Sequence, residues 1–220
     1  MRVFVLITTL LSAFLIPGAA NGQSFQTGGK YEFGAGGAFS YYTSQDIRSS
    51  RGNASAGLKP GFGASAWLGH NMYRKITGEV HYDFGKNDLK LDSSAGNVSF
   101  GAHSHAVHYD LLFHTADTGA KVRPYFLVGG GAKLYRGTGR EHAYQPGGDI
   151  AVLTRTYETK GLLTFGGGVK FNPSPRLSLR VELRDNVTQF PREVIAPVNG
   201  VISGDWIHNF VALFGAAVVF

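Results

Sequence analysis

Eight segments of this chain alternate apolar residues with polar or small ones, the period-two pattern of strands with two unlike faces. In 177–184, Leu177, Leu179, Val181 and Leu183 alternate with Ser178, Arg180, Glu182 and Arg184. Segment 31–41 sets Tyr31, Phe33, Phe39 and Tyr41 against Glu32, Gly34, Gly36 and Ser40. Segment 76–84 sets Ile76, Val80, Tyr82 and Phe84 against Thr77, Glu79, His81 and Asp83. Segment 163–171 sets Leu163, Phe165, Val169 and Phe171 against Thr164, Gly166, Gly168 and Lys170. The pattern is weaker in 104–114 and in 58–68, where Trp67 falls on the wrong face. Segments 124–135 and 206–220 are apolar on both sides in places.

The connections carry a second signal. Three are short (70–75, 115–123 and 172–176) and four are long and polar (43–57, 85–98, 136–161 and 185–205). They interleave strictly, so antiparallel strands would gather every short turn at one end and every long loop at the other. A soluble sandwich has no reason to sort its loops this way, whereas an outer-membrane barrel has short periplasmic turns and long external loops. Hydrocarbon cannot satisfy backbone polar groups, so strands cross a bilayer only as a closed sheet. Each crossing takes roughly 9–11 tilted residues. The expected fold is all-β: an eight-stranded antiparallel up-and-down transmembrane β-barrel over residues 23–220.

Residues 1–22 read as a leader. Met1-Arg2 precedes an apolar run from Val3 to Ile16, then Pro17-Gly18-Ala19-Ala20-Asn21-Gly22. That order of positive start, apolar stretch and small residues marks a secretory signal peptide. After Gly22 no apolar run approaches the length of a membrane-crossing helix. Composition agrees with a folded β protein: 43% apolar and 16% charged residues exclude a disordered chain. The absence of Cys excludes disulfide scaffolds, thiolate metal sites and Cys nucleophiles. The net charge of +6 does not by itself name a partner.

Strand parity assigns the faces. Tyr31, Phe33, Phe39, Tyr41, Tyr82, Phe84, Tyr109, Phe113, Phe165 and Phe171 are expected to face lipid, many near strand ends where aromatic girdles form. The inward set holds Glu32, Glu79, Asp83, Asp110 and Glu182 with Lys59, Lys133, Lys170, Arg180 and Arg184, five of each sign, plus His81, His108 and His114. An eight-stranded barrel is wide enough only for its own side chains. Charges removed from water need partners, so a balanced interior predicts an ion network plugging the lumen. Lys59 and Asp83 are expected opposite each other.

The end of the chain, Trp206 to Phe220, finishes on Phe with Val218, Ala216, Phe214 and Phe210 in phase behind it. It resembles the C-terminal signal read by the outer-membrane assembly machinery, a resemblance that makes Phe214, Val218 and Phe220 signal residues. Arg123-Pro124-Tyr125-Phe126-Leu127-Val128-Gly129-Gly130-Gly131-Ala132 resembles the Pro-Tyr, Gly-rich strand of the small barrels related to outer-membrane protein A and the opacity proteins. Arg180 to Asp185 is similar to their seventh strand. The resemblance spans residues 23–220, although members with a peptidoglycan-binding domain continue further. It implies residence in the bacterial outer membrane, with outer-membrane lipid, lipopolysaccharide and, during biogenesis, the barrel-assembly machinery as partners. It implies no single activity.

Catalytic and metal readings fare poorly. Lipid A deacylases of similar size carry a His-x-Ser-Asn element, where this chain reads Arg184-Asp185-Asn186-Val187. His103-Ser104-His105 has no strand-phased acid to orient a base. His103 and His105 share a face, but His108 points the other way, so the three do not converge on a metal. Gly34 to Gly37 and Gly129 to Gly131 lie within strands and are not phosphate loops. Dispersed basic residues argue against nucleic acid. The expected protein is a monomer with no cofactor, metal or catalytic residue, serving a structural or surface-interaction role through four loops. A narrow porin-like channel is the first alternative and a lipid A-modifying enzyme the second.

Overall fold

The computed structural model describes residues 29–140 and 144–220; the predicted leader, residues 1–22, lies outside them. The described residues form fifteen strands and no helix. In chain order these are β1 (Tyr31–Tyr42), β2 (Gln45–Ser49), β3 (Gly52–Leu58), β4 (Gly61–Tyr73) and β5 (Ile76–Lys86). There follow β6 (Leu89–Ser93), β7 (Gly96–Phe100), β8 (Ala102–His114), β9 (Val122–Gly137) and β10 (Ala151–Leu153). The last five are β11 (Tyr157–Ser174), β12 (Leu177–Gln189), β13 (Ile195–Pro197), β14 (Gly200–Ile202) and β15 (Trp206–Val219).

Eight of the strands close into a barrel in the order β1-β15-β12-β11-β9-β8-β5-β4. Each is antiparallel to its neighbours, and the seam between β4 and β1 runs from Tyr31↔His70 to Ser40↔Gly61. The first and last strands are clasped at their ends, where Tyr31 N donates to Phe220 O and Phe220 N to Tyr31 O, both at 2.9 Å. The connections β4–β5, β8–β9 and β11–β12 are short and share one end with Tyr31 and Phe220. The four long connections all rise from the other end.

The alternation is visible in burial. All ten aromatics assigned to lipid are exposed, as are Phe214, Val218 and Phe220. Val181 and Phe165 are 49% and 48% exposed. Together these residues belong to a contiguous apolar exterior far larger than a water-soluble monomer presents. On β8 that exterior runs from Phe113 to Val107, then to the half-buried His105 and His103. A closed sheet with such a skin belongs in hydrocarbon.

The long connections differ from their sequence reading as loops. Five of their short strands pair as a sheet in the order β14-β2-β3-β6-β7, and β10 pairs with β13. Two hairpins in that sheet turn just before Gly52 (φ 137°) and Gly96 (φ 134°), backbone conformations that favour residues without a Cβ. Ile47, Leu58, Leu89, Leu91, Leu153, Phe190, Val194 and Ile195 pack with Tyr42, Tyr135 and Ile207 from the barrel rim into one apolar core. The connections are thus a folded cap. Their alternation is short but present, as in Leu89-Lys90-Leu91. One charge is also displaced: Lys59, expected inside the lumen, lies exposed on the connection just before β4.

Candidate functional site

The lumen is filled by a layered network of buried side chains. Its lower layer centres on Arg180 of β12. Arg180 Nη1 donates to Glu79 Oε2 at 2.8 Å and Nη2 to Glu79 Oε1 at 2.5 Å, a bidentate pair, while Nη2 also reaches Glu32 Oε1 at 3.0 Å. Lys170 Nζ bridges the same two carboxylates, 2.6 Å from Glu32 Oε1 and 2.7 Å from Glu79 Oε1. Two anions therefore hold two cations, with both oxygens of Glu79 and Oε1 of Glu32 engaged, and such pairing is what lets a buried ion cluster be tolerated.

Trp67 completes this layer. Its parity on β4, a mismatch for a lipid-facing indole, turns it inward to 1% exposure. Its Nε1 donates to Glu32 Oε1 at 3.2 Å, and the Arg180 guanidinium lies 4.3 Å from its ring centroid. The indole fits because Gly34 and Gly215 stand beside it: a Cβ at Gly34 would come within 2.3 Å of the ring, and one at Gly215 within 2.6 Å.

The upper layer centres on Arg184. Its guanidinium binds Glu182, with Nε 2.7 Å from Oε1, and its Nη1 lies 3.6 Å from both Asp83 Oδ2 and Asp110 Oδ2. His108 links those two aspartates, with Nδ1 2.9 Å from Asp110 and Nε2 3.0 Å from Asp83. His81 stacks on His108 with centroids 5.1 Å apart and joins the layers through Glu79 at 2.8 Å. Ser65 and Thr164 donate to Asp83 and Asp110, both at 2.5 Å, and Tyr125 donates to Glu182 at 2.6 Å. Above them Lys133 Nζ donates to Tyr42 Oη at 2.7 Å, at the floor of the cap.

Glu32, Glu79, Asp83, Asp110, Lys133, Lys170, Arg180, Glu182 and Arg184 all lie in the lumen. The expected partner of Asp83 does not: the register sets Ser65, not Lys59, opposite it. The inward set drawn from the sequence left out Trp67, which parity placed inward against the expectation for an indole, and Arg123, which is buried at the short-turn end. Inward parity in β9 could have found Arg123, since it falls in phase with Tyr125, Leu127 and Lys133.

Two chemical readings can be weighed against this geometry. His81, His108 and Asp110 bring ligand atoms within 4.8 Å of one another. Both rings are already bonded to carboxylates, however, and Arg184 Nη1 stands 3.0 Å from His108 Nε2, where its permanent charge opposes a metal ion. The hydroxyls of Ser65 and Thr164 are spent on carboxylates inside the lumen, with no base placed to activate them. His103 and His105 face outward while Ser104 is buried inward, so that triplet forms no nucleophile–base pair.

No family model and no curated protein matches the chain. Solved structures do. Neisserial surface protein A (NspA) matches with a TM-score of 0.54 at 18% identity, over 87% of this chain and 97% of that one. The outer-membrane protein OprG from Pseudomonas aeruginosa gives 0.55 at 11% identity, over 90% and 98%. This chain has the fold of the small outer-membrane barrels. A major outer-membrane protein from Thermus thermophilus matches similarly, with a TM-score of 0.52 at 13% identity over 86% and 99% of the two chains. The closed eight-stranded barrel expected from parity and loop order is the one these small outer-membrane barrels adopt.

Proposed function

We propose that the protein is a non-enzymatic barrel of the bacterial outer membrane that holds a folded cap outside the cell for structural or surface-contact purposes. The carrying observation is that the lumen is closed twice, by the ion network and by the apolar core above it. Between the two lies a polar cavity of about 30 Å³, lined by Ser40, Tyr42, Asp83, Asn87, Lys133 and Asn209 among others. That volume suits about one water molecule rather than a solute path. A rigid barrel with short turns inside and an ordered cap outside is suited to presenting a surface.

That surface is the polar face of the five-stranded sheet. Its register places Asp46, Ser55, Asp92 and Asn97 in one row across four strands, and Arg48 and Asn53 flank it. The opposite face carries Ile47, Ala54, Ala56 and Leu91 into the core. The decisive experiment is planar-bilayer conductance of the refolded protein. The expected record is free of steady open currents. Stable currents that change when Arg180 or Glu182 is neutralised would establish the channel reading instead.

A further inference from the structure

Two cations flank a histidine in one row on the barrel exterior. The register sets Lys86 of β5 opposite His103 of β8, and His103 opposite Arg136 of β9. Lys86 and Arg136 are exposed and His103 is half-buried. Paired residues on neighbouring strands lie roughly 5 Å apart, so the row spans about 10 Å. Among the described residues no carboxylate pairs with Lys86 or Arg136.

The height of this row is set by the same register. Ten positions down the same strands lies a matching row of Ile76, Phe113 and Phe126. Ten residues at about 3.3 Å each, tilted about 40°, rise about 25 Å, which is the height of an outer-membrane apolar band. Lys86, His103 and Arg136 therefore sit where hydrocarbon gives way to headgroups, on the cap side. The row is one-sided. Across the barrel, on β12 and β15, the outward-phase polar residues at this level are Asp185, Gln189 and His208, none of them a permanent cation, and Asp185 and His208 are already joined at 2.6 Å.

Below Arg136 the exterior is unusually shallow. Gly130 and Ala132 of β9 lie beside Leu163 and Gly161 of β11. A Cβ at Gly161 would meet nothing within 4 Å. Leu134 stands between Arg136 and these small residues, and beyond it an apolar trough opens beside Val107 and Leu163. Cations at the headgroup level above a trough in the hydrocarbon match a ligand with an anionic head and acyl chains. Arg presents a planar fork to phosphate oxygens and Lys a point charge, complementary means of holding one phosphate group.

We propose that Lys86, His103 and Arg136 form a docking site for the phosphate of a phosphorylated glycolipid of the outer leaflet, with an acyl chain lying over Gly130, Ala132 and Gly161. The proposal rests on the outer-membrane reading above, which puts the cap side in that leaflet.

The test refolds the protein in an uncharged detergent and titrates it with bisphosphorylated lipid A, dephosphorylated lipid A and phosphatidylglycerol, with retained lipid counted by native mass spectrometry. The native chain is expected to retain bisphosphorylated lipid A best. The Lys86→Gln/Arg136→Gln double variant is expected to weaken that retention about thirtyfold, the equivalent of roughly 1 kcal/mol for each cation. It leaves retention of the dephosphorylated form unchanged. Arg176→Gln, at an exposed cation of the opposite end, leaves all three unchanged. Equal retention of the two lipid A forms, equal retention of phosphatidylglycerol, or a double variant that behaves as the native chain overturns the site. Heat-modifiable gel migration, run on every sample, reports the barrel separately. Its absence from the native protein in all lipids overturns the membrane reading itself, whereas a normal shift without lipid A preference overturns only the docking site.

Discussion

The barrel and its cap solve the burial problem in opposite ways. The barrel wraps an ionic interior in an apolar skin, with Glu79, Lys170, Arg180 and Glu182 buried inside and Val181, Phe165 and Phe214 exposed outside. The cap is built the usual way round, with Ile47, Leu89, Leu91 and Ile195 inside and Asp46, Arg48 and Asn53 turned outward. One chain passes between the two regimes within single strands: on β1, the buried positions change from Glu32 to Tyr42 over its length. What each region places outside is dictated by its surroundings. What each places inside has different consequences, because an apolar core tolerates a missing atom more gracefully than an ion cluster tolerates a missing charge.

This contrast can be broken by substitution. The largest effect is expected from Glu79→Leu, which leaves Arg180 and Lys170 with Glu32 alone. Losing one partner of a buried ion cluster costs about 3–5 kcal/mol, measurable as a lower urea midpoint in lipid vesicles. Leu91→Ala opens a cavity in the cap at a cost of about 2–5 kcal/mol. Its effect is expected to stay local, so that limited proteolysis of the cap accelerates while heat-modifiable migration of the barrel persists. Val181→Arg places a charge in hydrocarbon and should cost about 2–4 kcal/mol if it sits near mid-bilayer. Unchanged folding into vesicles would show that the apolar skin does not face lipid. The smallest effect is expected from Arg74→Ala, whose ion pair with Asp117 at 2.5 Å is exposed at a short turn. Such pairs contribute about 0–1 kcal/mol, and a larger shift in the midpoint would mean that the short-turn end is more tightly organised than its exposure indicates.

The same contrast explains what can be read from the sequence. Strand parity is strict wherever one face meets lipid, so counting separates Arg180 and Glu182 from Val181 and Leu183. Trp67 departs from expectation because a large indole is expected outside; only the adjoining Gly34 and Gly215 reveal that the interior has room for it. Lys59 departs because β4 starts at Gly61, later than the alternation implies. The cap is hard to see in the sequence because its strands, some only three residues long, carry too few alternations to stand out from polar surroundings. The row Lys86, His103 and Arg136 is legible only after pairing is known, since its members lie far apart in the chain and meet through register alone.

The lower ion cluster also constrains the order of events during biogenesis. Its links from Lys170 and Arg180 to Glu32 and Glu79 all join residues at least 91 positions apart. None of them can form until most of the polypeptide has emerged, and contacts of such long range are slow to assemble. Until β11 and β12 arrive, Glu32 and Glu79 are anions without their cations, and a partly inserted sheet would carry them unneutralised beside lipid. The charges that lock the finished barrel therefore discourage its early strands from settling in the membrane before the late ones are ready to join them.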